Sequence, residues 1–70
     1  MRDVILSKPA VELYKILKFE GLLSSGGEAK AAIDSGLVKV NGEVETRKRR
    51  QISAGDIIEI GGDKLQMRLG

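Results

Sequence analysis

The hydrophobic rhythm of this chain changes once, at Leu37, and that change limits the folds open to it. Before Leu37 apolar residues recur at helical spacing. After it they alternate, and the alternation is broken at Asn41-Gly42, the dipeptide best suited to a two-residue hairpin turn. A helical first half followed by a stranded second half is the pattern of an α+β domain, in which helices lie on one face of a sheet.

In the first half, Val4-Ile5-Leu6 reads as a short strand and Ser7-Lys8-Pro9 as a helix start with the proline in the first turn. The spacing predicts a helix over 9–19, with Ala10, Leu13, Tyr14 and Leu17 on one apolar stripe, Ile16 widening it, and Gly21 as the stop. Tyr14 and Phe19 are expected to fill core. Ser25-Gly26-Gly27-Glu28 has the spacing of a capping box and opens a shorter helix to about Ser35, ended by Gly36. Its inward positions Ala29, Ala32 and Ile33 are mostly small, so the two helices can approach closely.

In the second half, Leu37–Val40, Glu43–Thr46, Ile57–Ile60 and Lys64–Leu69 read as strands of a small antiparallel sheet, with turns at Ser53–Asp56 and Gly61–Asp63. The hairpin register stays open: a tight two-residue turn sets Val44 opposite Lys39, whereas hydrophobic matching sets it opposite Val40. Alternating charge on Lys64–Leu69 suits a sheet edge that resists pairing, so a monomer is expected. The chain has 70 residues and no internal repeat, linker or low-complexity tract, so residues 1–70 are expected to form a single domain with two helices packed on the sheet.

Such a chain has room for one core and little else. It contains no cysteine and no histidine, which removes disulfides, thiolate nucleophiles, the usual zinc ligands and imidazole acid/base chemistry. No metal or cofactor is expected. Glu43, Glu45, Asp56 and Glu59 are the carboxylates that an acid/base mechanism would need, but they fall on strands and turns with no sign of a pocket, so no enzyme is expected. The opening Met1-Arg2-Asp3 and the lack of a long apolar stretch argue against a signal peptide or a membrane span, and a cytoplasmic protein is the expectation.

Charge points toward a partner. The net charge is only +2, from 12 basic and 10 acidic residues, so its distribution matters more than its sum. Residues 1–36 are balanced, and the excess lies in the run Arg47-Lys48-Arg49-Arg50. Four adjacent like charges repel unless solvent or an anionic partner screens them, so the run is either a solvated loop or a docking site for an anion. Ser25-Gly26-Gly27 at a helix start is either a simple cap or a cradle for one phosphate. Lys15, Lys18 and Lys30 either extend this positive surface or are solvated lysines paired with nearby acids. With only Tyr14 and Phe19 as aromatic residues, platforms for stacking unpaired bases are scarce, which favours recognition of folded RNA by phosphates and shape.

The middle of the chain resembles the S-four RNA-binding domain, named after the fourth protein of the small ribosomal subunit and also called the αL motif. The likeness runs through Leu13, Leu17, Gly21, Ser24 or Ser25, Ala29-Lys30, Ala32-Ile33, Gly36, Val38, Val40-Asn41-Gly42, Val44, Ile52 and Gly55-Asp56-Ile57-Ile58. It implies a two-helix unit and an adjoining hairpin loop that together face structured ribosomal or transfer RNA, free or within the ribosome, in a small stand-alone bacterial member. By position it implicates Ser25, Gly26, Gly27, Lys30, Lys39, Asn41, Arg47, Lys48 and Arg50, to which the charge reading adds Arg49, Lys15 and Lys18. Members of the family often carry Arg-Leu-Asp where this chain has Glu12-Leu13-Tyr14, and an arginine where Gly26-Gly27 stand; the basic run is expected to compensate. The competing expectation is a protein-interaction or assembly module whose basic loop meets an acidic partner, with Leu22, Leu23 and Leu69 as candidate contacts.

Overall fold

A computed structural model describes all residues, 1–70. Seven strands and two helices follow the order β1 (Arg2–Leu6), β2 (Ala10–Glu12), α1 (Leu13–Phe19), α2 (Gly26–Asp34), β3 (Val38–Val40), β4 (Glu43–Val44), β5 (Gln51–Ser53), β6 (Ile57–Ile60) and β7 (Asp63–Leu69). Five strands form one sheet in the spatial order β1-β7-β6-β3-β4, and β2 pairs with β5 in a separate two-stranded ribbon.

The α+β class stands, but the sheet is mixed. β1 runs parallel to β7, with Val4 beside Met67 and Leu6 beside Leu69, whereas every other pairing is antiparallel. This places β7 between β1 and β6, so the edge expected at Lys64–Leu69 is instead an interior strand. Leu65 and Met67 face the core, and the parallel β1 covers the side of the strand that would otherwise be open.

Helix α1 is shorter than its periodicity predicts. Residues 10–12 are extended and pair with β5, setting Val11 opposite Ile52. The β-branched Val11, two positions after Pro9, fits that pairing, and the apolar spacing of Ala10 with Leu13 is equally compatible with a strand that runs into a helix. Leu13, Ile16 and Leu17 are buried as expected, and so are Ala29, Ala32 and Ile33 of α2. They join Val38, Val40, Ile52, Ile58, Leu65 and Met67 in one core shared by helices and sheet. Phe19 is not part of it: its side chain is 68% exposed. Tyr14 lies at the core's rim, half-buried.

The hairpin register is that of the tight turn. Val40 faces Glu43, and Val44 faces Lys39. Asn41 and Gly42 have φ of 53° and 85°, the pair of left-handed residues that a type I′ turn demands and that only Asn and Gly adopt cheaply. Turn geometry therefore outweighs hydrophobic matching, and Val44 is left 56% exposed. The turn is clasped from outside: the Asn41 side chain accepts a hydrogen bond from the Ile57 N–H at 2.9 Å and donates one to Asp56 at 3.0 Å. Asp56 in turn accepts from the Ser53 N–H at 2.9 Å. Burial pushes the Asp56 carboxyl up, but those hydrogen bonds outweigh it and hold the group below its ordinary range.

Candidate nucleic-acid interface

The shortened helix has a direct consequence for the basic run. A helix leaves its first N–H groups without intrahelical partners, and α1 has no side-chain cap. The run supplies the missing acceptors: the Leu13 N–H donates to the Arg50 carbonyl at 3.0 Å, and the Tyr14 N–H to the Lys48 carbonyl at 3.1 Å. A turn closes the segment on itself, with the Arg50 N–H donating to the Arg47 carbonyl at 3.2 Å. The four cations are thus carried on a backbone fastened to the start of α1.

Beneath the run lies Glu45, the one charged residue that is buried. Its carboxylate accepts from the Arg47 N–H at 2.9 Å, from Arg47 Nε and Nη2 at 3.1 Å each, and from Arg50 Nη1 at 2.8 Å. The Arg47 guanidinium, then the Arg50 guanidinium and the Arg47 backbone N–H, lower the Glu45 carboxyl from 4.5 to about 2, as expected for a carboxylate with charged donors on both oxygens. The same contact raises Arg47. Glu12 plays a lesser part, bridging Lys15 Nζ at 3.0 Å and Arg49 Nε at 3.6 Å, and its hydrogen bond raises Lys15. Of the four basic residues in the run, Lys48 alone makes no ion pair.

The helical side meets this loop at Tyr14. Lys30 Nζ sits 4.6 Å from the centre of the Tyr14 ring, within the range of a cation–π contact. A Cβ on Gly26 would touch the same ring at 3.8 Å and Lys18 at 4.0 Å. Ser25 caps α2 by accepting from the Glu28 N–H at 3.1 Å, and Glu28 in the first turn is well placed for the helix dipole. Contacts therefore run from Arg49, through Glu12, to Lys15, and from Lys48, through Tyr14, to Lys30, with Gly26 and Lys18 nearby.

Two expected residues lie elsewhere. Lys39 alternates with the buried Val38 and Val40, so it projects from the sheet face away from the core, beside Glu59 and Val44. Both functional atoms of the Asn41 side chain are engaged within the protein. The residues that sequence reasoning missed are Glu45, Glu12 and Tyr14. The spacing Glu45-x-Arg47-x-x-Arg50 was the available signal for the first. Nothing local pointed to the link of the other two with the basic run, since Glu12 reaches Arg49 and Tyr14 reaches Lys48 across more than thirty residues.

A recess of about 480 Å³ opens between β1, β2 and α1, over Val4, Leu6 and Ile16, with Ile5 and Phe19 at its exposed margin. The charged residues that line it, Lys8, Glu12, Lys15 and Glu20, include the Glu12–Lys15 ion pair, and its floor is apolar.

A two-helix unit with a cation-bearing loop fastened to its first helix, backed by a small mixed sheet, is the architecture of an αL domain. Residues 4–68 match the family model described as the S4 domain, and the chain belongs to that family. It is similar to YbcJ of Escherichia coli (strain K12), which is provisionally named an RNA-binding protein, with 51% identity over 59 residues and 84% of each chain covered. The solution structure of YbcJ, reported to reveal an αL motif involved in RNA binding, superposes with a TM-score of 0.72 at 48% identity, covering 96% of this chain and 86% of that one. A probable ribosome maturation protein of Bacillus subtilis (strain 168), RlbA, is 36% identical over 52 residues, 74% of this chain and 73% of that one. The 30S ribosomal protein S4e of Thermoplasma acidophilum superposes with a TM-score of 0.69 at 32% identity, over 83% of this chain and 31% of that one.

Proposed function

We propose that this protein binds structured RNA, ribosomal or transfer RNA, chiefly through backbone phosphates and without catalysis, as a cytoplasmic monomer. The observation that carries the reading is the fastening of the Arg47–Arg50 segment onto α1, which sets a run of repelling charges beside Lys15 and Lys30; Lys18 lies on the same helix. Repulsion within the run is offset internally by Glu45 and Glu12, so the loop has a fixed form before any partner arrives. Phosphates add to such a surface by releasing counterions from the nucleic acid. The names of its relatives support the same reading, since they include a protein provisionally assigned to RNA binding, a ribosomal protein and a probable ribosome maturation protein.

The test is recovery of cellular RNA with the purified protein, followed by sequencing, beside a variant with alanine at Arg47, Lys48, Arg49 and Arg50. Defined RNAs recovered by the wild type and lost by the variant support the reading. With about four phosphate contacts the log–log salt slope should lie near −3, a loss of about sixty-fold between about 50 and 200 mM salt. The exposed Phe19 and Ile5 beside the apolar recess favour a protein partner as the second reading. Binding that persists at high salt, or no RNA recovered at low salt, would move the assignment there.

A further inference from the structure

We infer that Glu45 is a positioning residue for phosphate recognition, one that holds the Arg47 and Arg50 guanidinium groups in the orientation in which they meet the RNA backbone. The inference rests on the RNA-binding reading above. By Coulomb's law alone, a carboxylate at the centre of an anion-binding surface weakens attraction for phosphate. Its presence there calls for a compensating role, and the geometry supplies one.

Glu45 is itself held firmly. Its N–H donates to the Val38 carbonyl at 3.0 Å, tying it to the start of β3, and both carboxylate oxygens are occupied by arginine donors. Each arginine spends only one edge on it. Arg47 uses Nε and Nη2 and keeps Nη1 free, with its side chain 74% exposed; Arg50 uses Nη1 and keeps Nε and Nη2, with its side chain 31% exposed. A guanidinium offers five N–H donors in a rigid fork, so fixing one edge aims the other. Because these two side chains are ordered before RNA arrives, their lost freedom is not charged to association. Lys48, with no ion pair, and Arg49, 75% exposed and 3.6 Å from Glu12, are held by fewer contacts and serve to steer the approach without fixing its register.

The experiment compares two substitutions that change net charge identically. Glu45→Gln and Glu43→Gln each remove one negative charge from the same segment, but Glu43 is exposed on β4 and has no arginine to hold. Apparent affinity of the full-length chain is measured against ribosomal RNA extracted from Escherichia coli, with far-UV circular dichroism confirming that each variant is folded. E45Q should bind about fivefold more weakly than wild type, from the ordering of two long side chains, while E43Q should bind equally well or up to about twofold more tightly. In an R47A/R50A background, E45Q should cause no further loss, because nothing remains to be positioned; a merely structural role would weaken both backgrounds. If E45Q does not fold, E45D takes its place, keeping the charge but lacking the reach to span both arginines, and the same weakening is expected. E45Q binding as tightly as E43Q, or an equal loss in the R47A/R50A background, overturns the inference and leaves RNA binding standing. Wild-type protein that retains no ribosomal RNA at about 50 mM salt overturns both.

Discussion

Replacing Glu45 by Gln should flatten the acid limb of the protein's stability, and the structure indicates by how much. The Glu45 carboxyl titrates near 2 in the folded protein against 4.5 unperturbed, a gap that would be worth about 3 kcal/mol if fully expressed. The Arg47 side chain is 74% exposed, so solvent screens much of that contact, and about 1–2 kcal/mol is the expected contribution. Because the folded pKa is depressed, the contribution is complete above about pH 5, falls away as pH drops from 4.5 through 2, and is gone below that. Gln does not titrate. E45Q should therefore be less stable than wild type by about 1–2 kcal/mol at pH 7, and the gap should close toward pH 2. Urea denaturation followed by circular dichroism across that range is the assay. Some acid dependence should survive in E45Q, because the hydrogen bonds from Ser53 and Asn41 also lower the Asp56 carboxyl. A stability difference that stays constant from neutral to acid pH would refute the argument, since the carboxylate's charge would then have nothing to do with its role. For a domain whose core supplies about 3–5 kcal/mol net, a loss of this size leaves the fold intact at neutral pH but within reach of mild heating.

Asn41→Ala should cost about 1–2 kcal/mol in the same assay, since it removes two hydrogen bonds of the clasp and places alanine in a left-handed conformation; RNA affinity measured on the folded fraction should be unchanged. A Cβ at Gly27 would meet only Ser25 Oγ, at an ordinary 3.8 Å, so Gly27→Arg can start a side chain there without displacing a neighbour. It should steepen the log–log salt slope of RNA binding by about 0.7–0.9, read from affinities at several salt concentrations.

The physical origin of each element decides how far it could be read from sequence alone. Periodicity and turn chemistry are local, so the α2 cap at Ser25, the inward face at Ala29, Ala32 and Ile33, and a hairpin turn at Asn41-Gly42 were all legible, whereas the register of that hairpin was decided only by the structure. Cysteine and histidine content likewise ruled out whole classes of chemistry without any coordinates. The family likeness was legible because its two most specific segments, Val40-Asn41-Gly42 and Gly55-Asp56-Ile57, are bonded to one another in the clasp. Tertiary structure alone decided what depends on distant partners. Residues 10–12 carry an apolar spacing that suits a helix, yet pairing with β5 draws them into a strand, and β7 looks like an edge until β1 lies parallel beside it. The basic run shows the difference most clearly. Its charge is plain in the sequence, but its form comes from Glu45 below, Glu12 beside it and the free N–H groups of α1 in front. Those contacts bring together groups as much as thirty-seven positions apart, and a hydrogen bond carries no trace in sequence of how far the chain travelled to make it.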